Sequence, residues 1–153
     1  MSHHGTTLDV MPLDEKILGF SNRWYRAAME SSVTERLSDD LEIRIVTGPF
    51  YIVTKLEAFK GRGKGDFFGS HDLEDLISVV DGRPALVTEV HSGAAELRKY
   101  VRAEIHGLLR TPRFLDACRD ICSQTRSTNP ESASFFGAWR TLRRFSRRGH
   151  GQA

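Results

Sequence analysis

Hydrophobic residues recur at intervals of three and four in two neighbouring segments near the middle of the chain. The two sets are Ile52, Val53, Leu56 and Phe59, followed by Leu73, Leu76, Ile77 and Val80. In an α-helix this spacing places the side chains on one face. We therefore predict two amphipathic helices with buried apolar faces, and we expect Ser70 to cap the second helix.

Charged side chains border both apolar faces. Lys55 lies at the margin of the first face, one helical turn before Phe59, and Asp72 borders the second face. The same spacing predicts that Asp75 points away from the buried side. Asp72 has two interpretations. The helix dipole favours an acidic residue in the first turn without any ligand, and the alternative is a functional carboxylate at the edge of a binding site.

A basic glycine-rich loop joins the two predicted helices. It runs from Gly61 to Gly65 and places Arg62 and Lys64 between glycines, so that backbone and cation can both approach an anion closely. A helix precedes the loop, which excludes a dinucleotide-binding fingerprint, and the G-x-x-x-x-G-K-[ST] pattern of a P-loop is absent. A flexible, solvated connector and a phosphate-contacting loop both remain open.

Alternating residues before the first helix predict a pair of strands. These are residues 33–37 and 42–47, joined by a polar turn. The alternation predicts that Ile43 and Ile45 face inward and that Arg44 faces outward.

Residues 6–11 alternate in the same way and place Asp9 in the middle of a further strand. Strand interiors disfavour aspartate, so its presence needs a reason. One reason is a solvent-facing edge strand. The other is a carboxylate held on a rigid strand to bind a divalent cation.

The C-terminal half is predicted to be helical. Apolar residues at 86–108 form one nearly continuous stripe, weakened at 92–93, and predict a single long helix. A second helix starts at Pro112, since proline is accepted at the first helical position. Residues 124–131 form a polar linker.

Residues 132–148 combine aromatic and basic side chains. For the aromatic residues we favour docking on the body of the protein, while the arginines keep the segment hydrated. Contact of the arginines with RNA phosphates is the alternative. The arginines are Arg140, Arg143, Arg144, Arg147 and Arg148.

The composition is that of a globular domain with one modest core. The chain has 153 residues, of which 39% are hydrophobic and 27% charged, and its net charge of +2 does not by itself indicate nucleic-acid binding. No apolar run approaches the roughly 20 residues that span a bilayer, and none resembles a signal peptide. Cys118 and Cys122 are interpreted as reduced, half-buried packing residues. We expect a cytoplasmic protein without a membrane segment.

The central segment resembles the C-terminal motif region of the AbiEii-type nucleotidyltransferases, a family of bacterial toxins within the nucleotidyltransferase superfamily. That family shows a lysine, an arginine later on the same segment, and an aspartate that opens a D-x-x-D-L helix. Lys55, Arg62 and Asp72 match these positions, and Asp75 follows. The similarity extends over residues 6–90.

The resemblance implies transfer of NMP from an NTP to an RNA or protein acceptor, with Mg2+ as the cofactor and a cognate antitoxin as a partner. In such an enzyme Lys55 would neutralise the triphosphate with the help of Arg62. Asp72 would be a supporting or acid/base carboxylate, and Asp9 would bind the metal. Lys64 in the glycine loop is a further candidate for contact with the nucleotide.

The chain departs from this family because it lacks the G-S loop and the D-x-D strand that supply phosphate and metal contacts. Asp39 and Asp40 are adjacent in a turn and cannot replace them. A pair of Mg2+ ions needs several converging carboxylates, so we expect weak activity or none from the chain alone. A start assigned too late, a natural truncation or a completing partner chain each explain the absence. The alternative function is non-catalytic binding of RNA or a partner on the same scaffold.

We therefore predict an α+β fold in which a small mixed sheet, an incomplete nucleotidyltransferase-like core, is followed by a helical C-terminal half. The predicted regions are a partial core at 1–83, a helical region at 84–124, and a linker with a basic aromatic tail at 125–153. We expect Lys55 and Asp72 to face a nucleotide across a cleft, with Asp9 opposite.

Overall fold

The structure is a computed structural model, and it describes Lys16 and residues 22–63, 65–128 and 135–146. Helices and one antiparallel strand pair make up these residues, and the predicted α+β class with a helical C-terminal half is confirmed. The elements are α1 (Tyr25–Glu30), β1 (Val33–Ser38), β2 (Leu41–Ile45), α2 (Gly48–Arg62), α3 (His71–Gly82), α4 (Leu86–Ser92), α5 (Ala95–Leu109), α6 (Pro112–Thr128) and α7 (Phe135–Ser146).

Helices α2 and α3 pack against each other through the two predicted apolar faces, and every predicted member of both faces is buried. Pro49 occupies the first turn of α2, where its missing N–H would have no helical partner. The Ser70 side chain accepts a hydrogen bond from the Leu73 N–H at 3.4 Å, so Ser70 is the N-cap of α3 as predicted.

The long helix predicted at 86–108 is two helices, and that prediction is wrong. The backbone of Gly93 is extended, with φ −71° and ψ 177°, and separates α4 from α5. Its N–H still donates to the carbonyl of Val90 at 3.2 Å, closing the last turn of α4. The apolar stripe continues across the break, since Val90, Leu97 and Val101 are all buried.

Helix α7 is part of the core. Leu142 and Phe145 are buried in the same hydrophobic cluster as Phe114 and Trp24, and α7 packs on α3, α5 and α6. Docking of apolar residues in this segment is therefore confirmed for these two side chains. Helix α6 continues to Thr128 and includes the beginning of the predicted linker. None of the described helices has the length and apolar character needed to cross a membrane.

The cysteines of α6 lie inside the protein. Cys118 and Cys122 form no disulfide and are 2% and 3% exposed, so they are more deeply buried than the predicted half-buried state.

Strands β1 and β2 form an antiparallel hairpin that lies outside this core. Val33 pairs with Ile45 and Glu35 with Ile43, and the register shifts between Arg36 and Ser38. Every residue of both strands is exposed. The predicted inward orientation of Ile43 and Ile45 is therefore wrong, because no described element covers that face of the hairpin.

The mixed sheet predicted for the N-terminal part rests on the strand at 6–11, and that segment, with Asp9, lies outside the described residues. Among the described residues the sheet has two antiparallel strands.

Replacing Phe145 by alanine tests whether α7 is structural. We expect the free energy of unfolding to fall by about 3–5 kcal/mol, because a buried aromatic side chain is lost and a cavity remains. Urea denaturation followed by circular dichroism measures this change. Arg140→Ala, an exposed change on the same helix, should alter stability by about 0.5 kcal/mol or less. Equal small effects of both changes would mean that α7 is a detachable tail.

Candidate functional site

Lys55 and Asp72 meet directly across the α2–α3 contact. The Lys55 Nζ donates to Asp72 Oδ1 at 3.2 Å and to Asp75 Oδ2 at 2.6 Å. Asp75 was predicted to point away from the buried side of α3, and its carboxylate is half-exposed. The same side chain also lies on the Asp72 side of α3, where the long side chain of Lys55 reaches it.

Arg62 completes this polar cluster. It lies in the last turn of α2 rather than in the loop, and its Nε and Nη2 donate to the two carboxylate oxygens of Asp72 at 2.8 and 2.9 Å. Such a bidentate pair fixes the guanidinium in a defined orientation. The Asp72 side chain is only 8% exposed, so its charge is held in the protein by the cations of Lys55 and Arg62.

The cluster holds its members in their charged forms. Hydrogen bonding from Arg62 lowers the pKa of Asp72, and it outweighs the opposing effect of burial, with a further contribution from Lys55. Burial acts to lower the pKa of Lys55, but hydrogen bonds to Asp75 and Asp72 overcome it and leave that pKa raised. At neutral pH the centre of the cluster is therefore a buried carboxylate facing two cations.

Tyr51 is a member that the sequence reasoning missed. It lies one turn before Lys55 on α2, and its ring centroid is 5.6 Å from the Lys55 Nζ. Burial raises the pKa of the Tyr51 hydroxyl, against the opposing charge of Lys55. The signal in the sequence was the i, i+4 spacing of an aromatic residue and a lysine, which places the two on one helix face.

The loop between α2 and α3 is organised by Asp66. Its Oδ1 accepts hydrogen bonds from the N–H groups of Phe68 and Gly69 at 3.1 and 3.0 Å, and these bonds lower the pKa of the Asp66 carboxyl. Gly65 has a φ of 76°, a conformation that favours glycine. The backbone donors of this turn thus already bind a carboxylate of the chain. Lys64 lies outside the described residues.

An open pocket of about 300 Å3 adjoins the cluster. It lies where the end of α2, the Asp66 turn and the beginning of α3 meet. Its lining residues are Arg62, Gly63, Asp66, Gly69, Ser70, His71 and Asp72. Lys55 is not among them.

The described residues do not fit a Mg2+ site. They contain no group of three or more side chains of the types that bind metals. Both carboxylate oxygens of Asp72 are engaged by Lys55 and Arg62, and the Asp75 Oδ2 is engaged by Lys55. The predicted metal ligand, Asp9, lies outside the described residues.

The structure thus brings together Lys55, Arg62 and Asp72, which are separated along the chain, and adds Asp75 and Tyr51 to them. A comparison with protein families found no matching family model. Searches among curated proteins and among solved structures also returned no match.

The Asp72 ion pairs should make stability depend on pH. Because the folded pKa of Asp72 lies below its unfolded value, its stabilising contribution is complete above about pH 4 and is lost as pH falls through the folded pKa. We expect Asp72→Asn to lower the free energy of unfolding by about 1–3 kcal/mol at pH 7. The difference from the native chain should shrink as the pH falls below 4.

Urea denaturation across a pH series measures this dependence. Asp75→Asn is the matched control, since this half-exposed carboxylate makes one ion pair and should cost about 1 kcal/mol or less. A difference for Asp72→Asn that stays constant from pH 7 to pH 3 would contradict the proposed source of the stability.

Proposed function

We propose that the chain is a nucleotidyltransferase-like protein, similar to the AbiEii-type toxins, that moves NMP from an NTP to an RNA or protein acceptor. The observation that supports this proposal is the convergence of Lys55, Arg62 and Asp72 in one partly exposed cluster. These are the positions at which the sequence resembles the family. We also propose a cytoplasmic location, where NTP and RNA acceptors are present.

Lys55 and Arg62 supply the positive charge that a triphosphate requires. Lys55 stays protonated at neutral pH, and Arg62 presents a planar fork suited to phosphate oxygens. Both cations are paired within the protein, so a phosphate has to compete with a carboxylate. Asp75 makes the shorter contact with Lys55, at 2.6 Å against 3.2 Å, but it is 45% exposed and bonded to one cation. Asp72 is 8% exposed and held by both cations, so Asp75 is the carboxylate that solvent or a ligand displaces more readily.

Nucleotide binding would therefore exchange Asp75 for a phosphate oxygen at the Lys55 ammonium and leave the Asp72–Arg62 pair in place. In that arrangement Asp72 orients the two cations. Its lowered pKa keeps it ionised at neutral pH, so it suits a hydrogen-bond acceptor, whereas a general acid or base needs a pKa nearer the working pH. Among the described residues, no group of three or more metal-binding side chains is present, so further ligands for metal-assisted transfer would come from outside this set.

Lys55→Ala should weaken NTP binding by about tenfold to a hundredfold, since one charge-assisted contact to phosphate is lost. Asp75→Asn is the matched variant, and it should not weaken NTP binding. Because it removes the competing carboxylate, NTP binding should stay unchanged or become tighter. Displacement of a fluorescent ATP analogue from the intact chain measures both. Transfer of label from [α-32P]NTP to total RNA, with magnesium in the buffer, measures the reaction.

Two results would contradict the nucleotide site. One is the absence of NTP binding by the intact chain at millimolar NTP. The other is binding that Lys55→Ala leaves unchanged, because the phosphates would then lie elsewhere.

A second function, non-catalytic binding of RNA, is favoured by the two faces of α7. Leu142 and Phe145 are buried, whereas Arg140, Arg143 and Arg144 are exposed on the outer side. A helix held by its apolar face can present arginines to a phosphate backbone at fixed positions. Arg147 and Arg148 lie outside the described residues. A cognate antitoxin is a further proposed partner, on the resemblance alone.

Filter binding of labelled RNA across a salt series tests this second function. We expect affinity to fall steeply with salt, and the slope of log K against log salt to decrease by about one to two after Arg140→Gln and Arg144→Gln together. Lys99→Gln on α5 is a matched control for loss of charge elsewhere on the surface. The same slope in all proteins would exclude α7 as the RNA-binding surface.

A further inference from the structure

Among the described residues, no element covers the apolar face of the β1–β2 hairpin or pairs with either of its edges. Leu41, Ile43 and Ile45 share one face of β2 and are 50%, 37% and 39% exposed, with Glu42 and Arg44 on the other face. On β1, Leu37 is 58% exposed, and Glu35 pairs with Ile43 on the apolar side. Exposed strand edges carry unpaired N–H and C=O groups that can pair with a further strand. The chemistry of each edge indicates which strand it accepts.

The β1 edge is poorly suited to pairing. Its register is broken between Arg36 and Ser38, and such a bulge bends and twists an edge strand away from regular pairing. Two β1 strands could pair antiparallel in a register centred on Glu35 or on Arg36. Either register would place two like charges directly opposite each other, Glu35 against Glu35 or Arg36 against Arg36. Like charges in that position are destabilising.

The β2 edge is self-complementary. In β2, from Leu41 to Ile45, apolar and charged residues are arranged symmetrically about Ile43. The two charged residues, Glu42 and Arg44, carry opposite charges. In antiparallel self-pairing centred on Ile43, Glu42 lies opposite Arg44 of the other copy. Leu41 then lies opposite Ile45, and Ile43 opposite Ile43, on the apolar face.

We propose that two copies of this chain associate through their β2 strands, antiparallel and centred on Ile43, to form one four-stranded sheet. The contact is isologous: a two-fold axis passes between the two copies of Ile43, and the assembly closes as a dimer. The β1 strands then form the outer edges, where the irregular register limits further growth.

Ion pairs on the polar face would extend from one copy to the other. Within the hairpin the Arg36 Nη2 donates to Glu42 Oε1 at 3.1 Å. The Arg44 Nη2 donates to the carbonyl of Met29 at 2.9 Å, which holds the guanidinium at the hairpin. In the dimer each Glu42 would lie between Arg36 of its own copy and Arg44 of the other. Such opposite-charge neighbours set the register more than the affinity.

The interface is small, since a five-residue strand from each copy contributes. Contacts of this size lie at the low end of specific interfaces and dissociate readily. We therefore expect an equilibrium between monomer and dimer that shifts with concentration in the micromolar to submillimolar range.

Disulfide trapping with Ile43→Cys in the full chain tests the register. Opposed residues of an antiparallel pair have Cα atoms about 4.5–5.5 Å apart, within the range of a disulfide. Leu37→Cys on β1 is the control, because the two β1 strands would be separated by about 14 Å. Leu37 is more exposed than Ile43, at 58% against 37%, so random collisions would favour the control.

Under mild copper–phenanthroline oxidation we expect Ile43→Cys to form a covalent dimer at least tenfold faster than Leu37→Cys. The native thiols do not interfere, because both are buried and burial raises the pKa of Cys118 to about 12. Trapping of Ile43→Cys at or below the rate of Leu37→Cys would overturn the proposal. That result would leave the nucleotide site untouched, since the cluster around Asp72 lies on other elements.

Charge variants give an independent readout by sedimentation equilibrium. Glu42→Arg and Arg44→Glu each place like charges opposite one another and should weaken self-association by at least tenfold. A mixture of the two variants restores opposite charges at both positions and should form a heterodimer. A native chain that stays monomeric up to several hundred micromolar, or a mixture that forms no heterodimer, would overturn the proposal.

Discussion

The carboxylate of Asp72 links the two helices around which this protein is organised. It lies at the start of α3, almost fully buried, and receives hydrogen bonds from Lys55 and Arg62, which lie two turns apart on α2. Burying one charge against two cations of a neighbouring helix favours one register of the two helices, because a shifted register would leave the carboxylate without partners. The apolar faces beneath it supply the driving force for packing, and the ion pairs select its geometry.

This arrangement has two consequences for function. It assembles the residues that resemble a nucleotidyltransferase motif, which supports the proposed nucleotide site. It also neutralises them within the protein, so in the proposed site a triphosphate would have to displace a carboxylate before it contacts Lys55. The exposed position of Asp75 makes that exchange possible without breaking the Asp72–Arg62 pair. In the proposed site, structural stability and nucleotide binding would therefore depend on different members of one cluster.

The hairpin differs from the helices in the exposure of its apolar residues. The helices bury their apolar faces in one continuous core, whereas β1 and β2 leave theirs exposed. Their alternating pattern resembles that of a half-buried strand, and its partner is not found among the described residues. The self-complementary order of charges in β2 makes a second copy the partner that the sequence of this strand fits best.

The sequence by itself determined the local structure of the helices. The spacing of Leu56, Phe59, Leu73 and Leu76 fixed which faces are buried, since a helix places residues three and four apart on one side. The N-cap at Ser70 followed in the same way, because capping depends on residues adjacent along the chain. Lys55 and Asp72 could be selected as candidates from their positions at the edges of these faces.

Only the tertiary structure decided how the elements combine. The direct contact of Lys55 with both Asp72 and Asp75 depends on the separation and rotation of α2 and α3, which periodicity does not specify. The break at Gly93 depends on packing of α4 and α5 against the other helices, and the exposure of Ile43 depends on which elements reach the hairpin. Alternation shows that a strand has two different faces, but only the surrounding structure determines whether either face is covered.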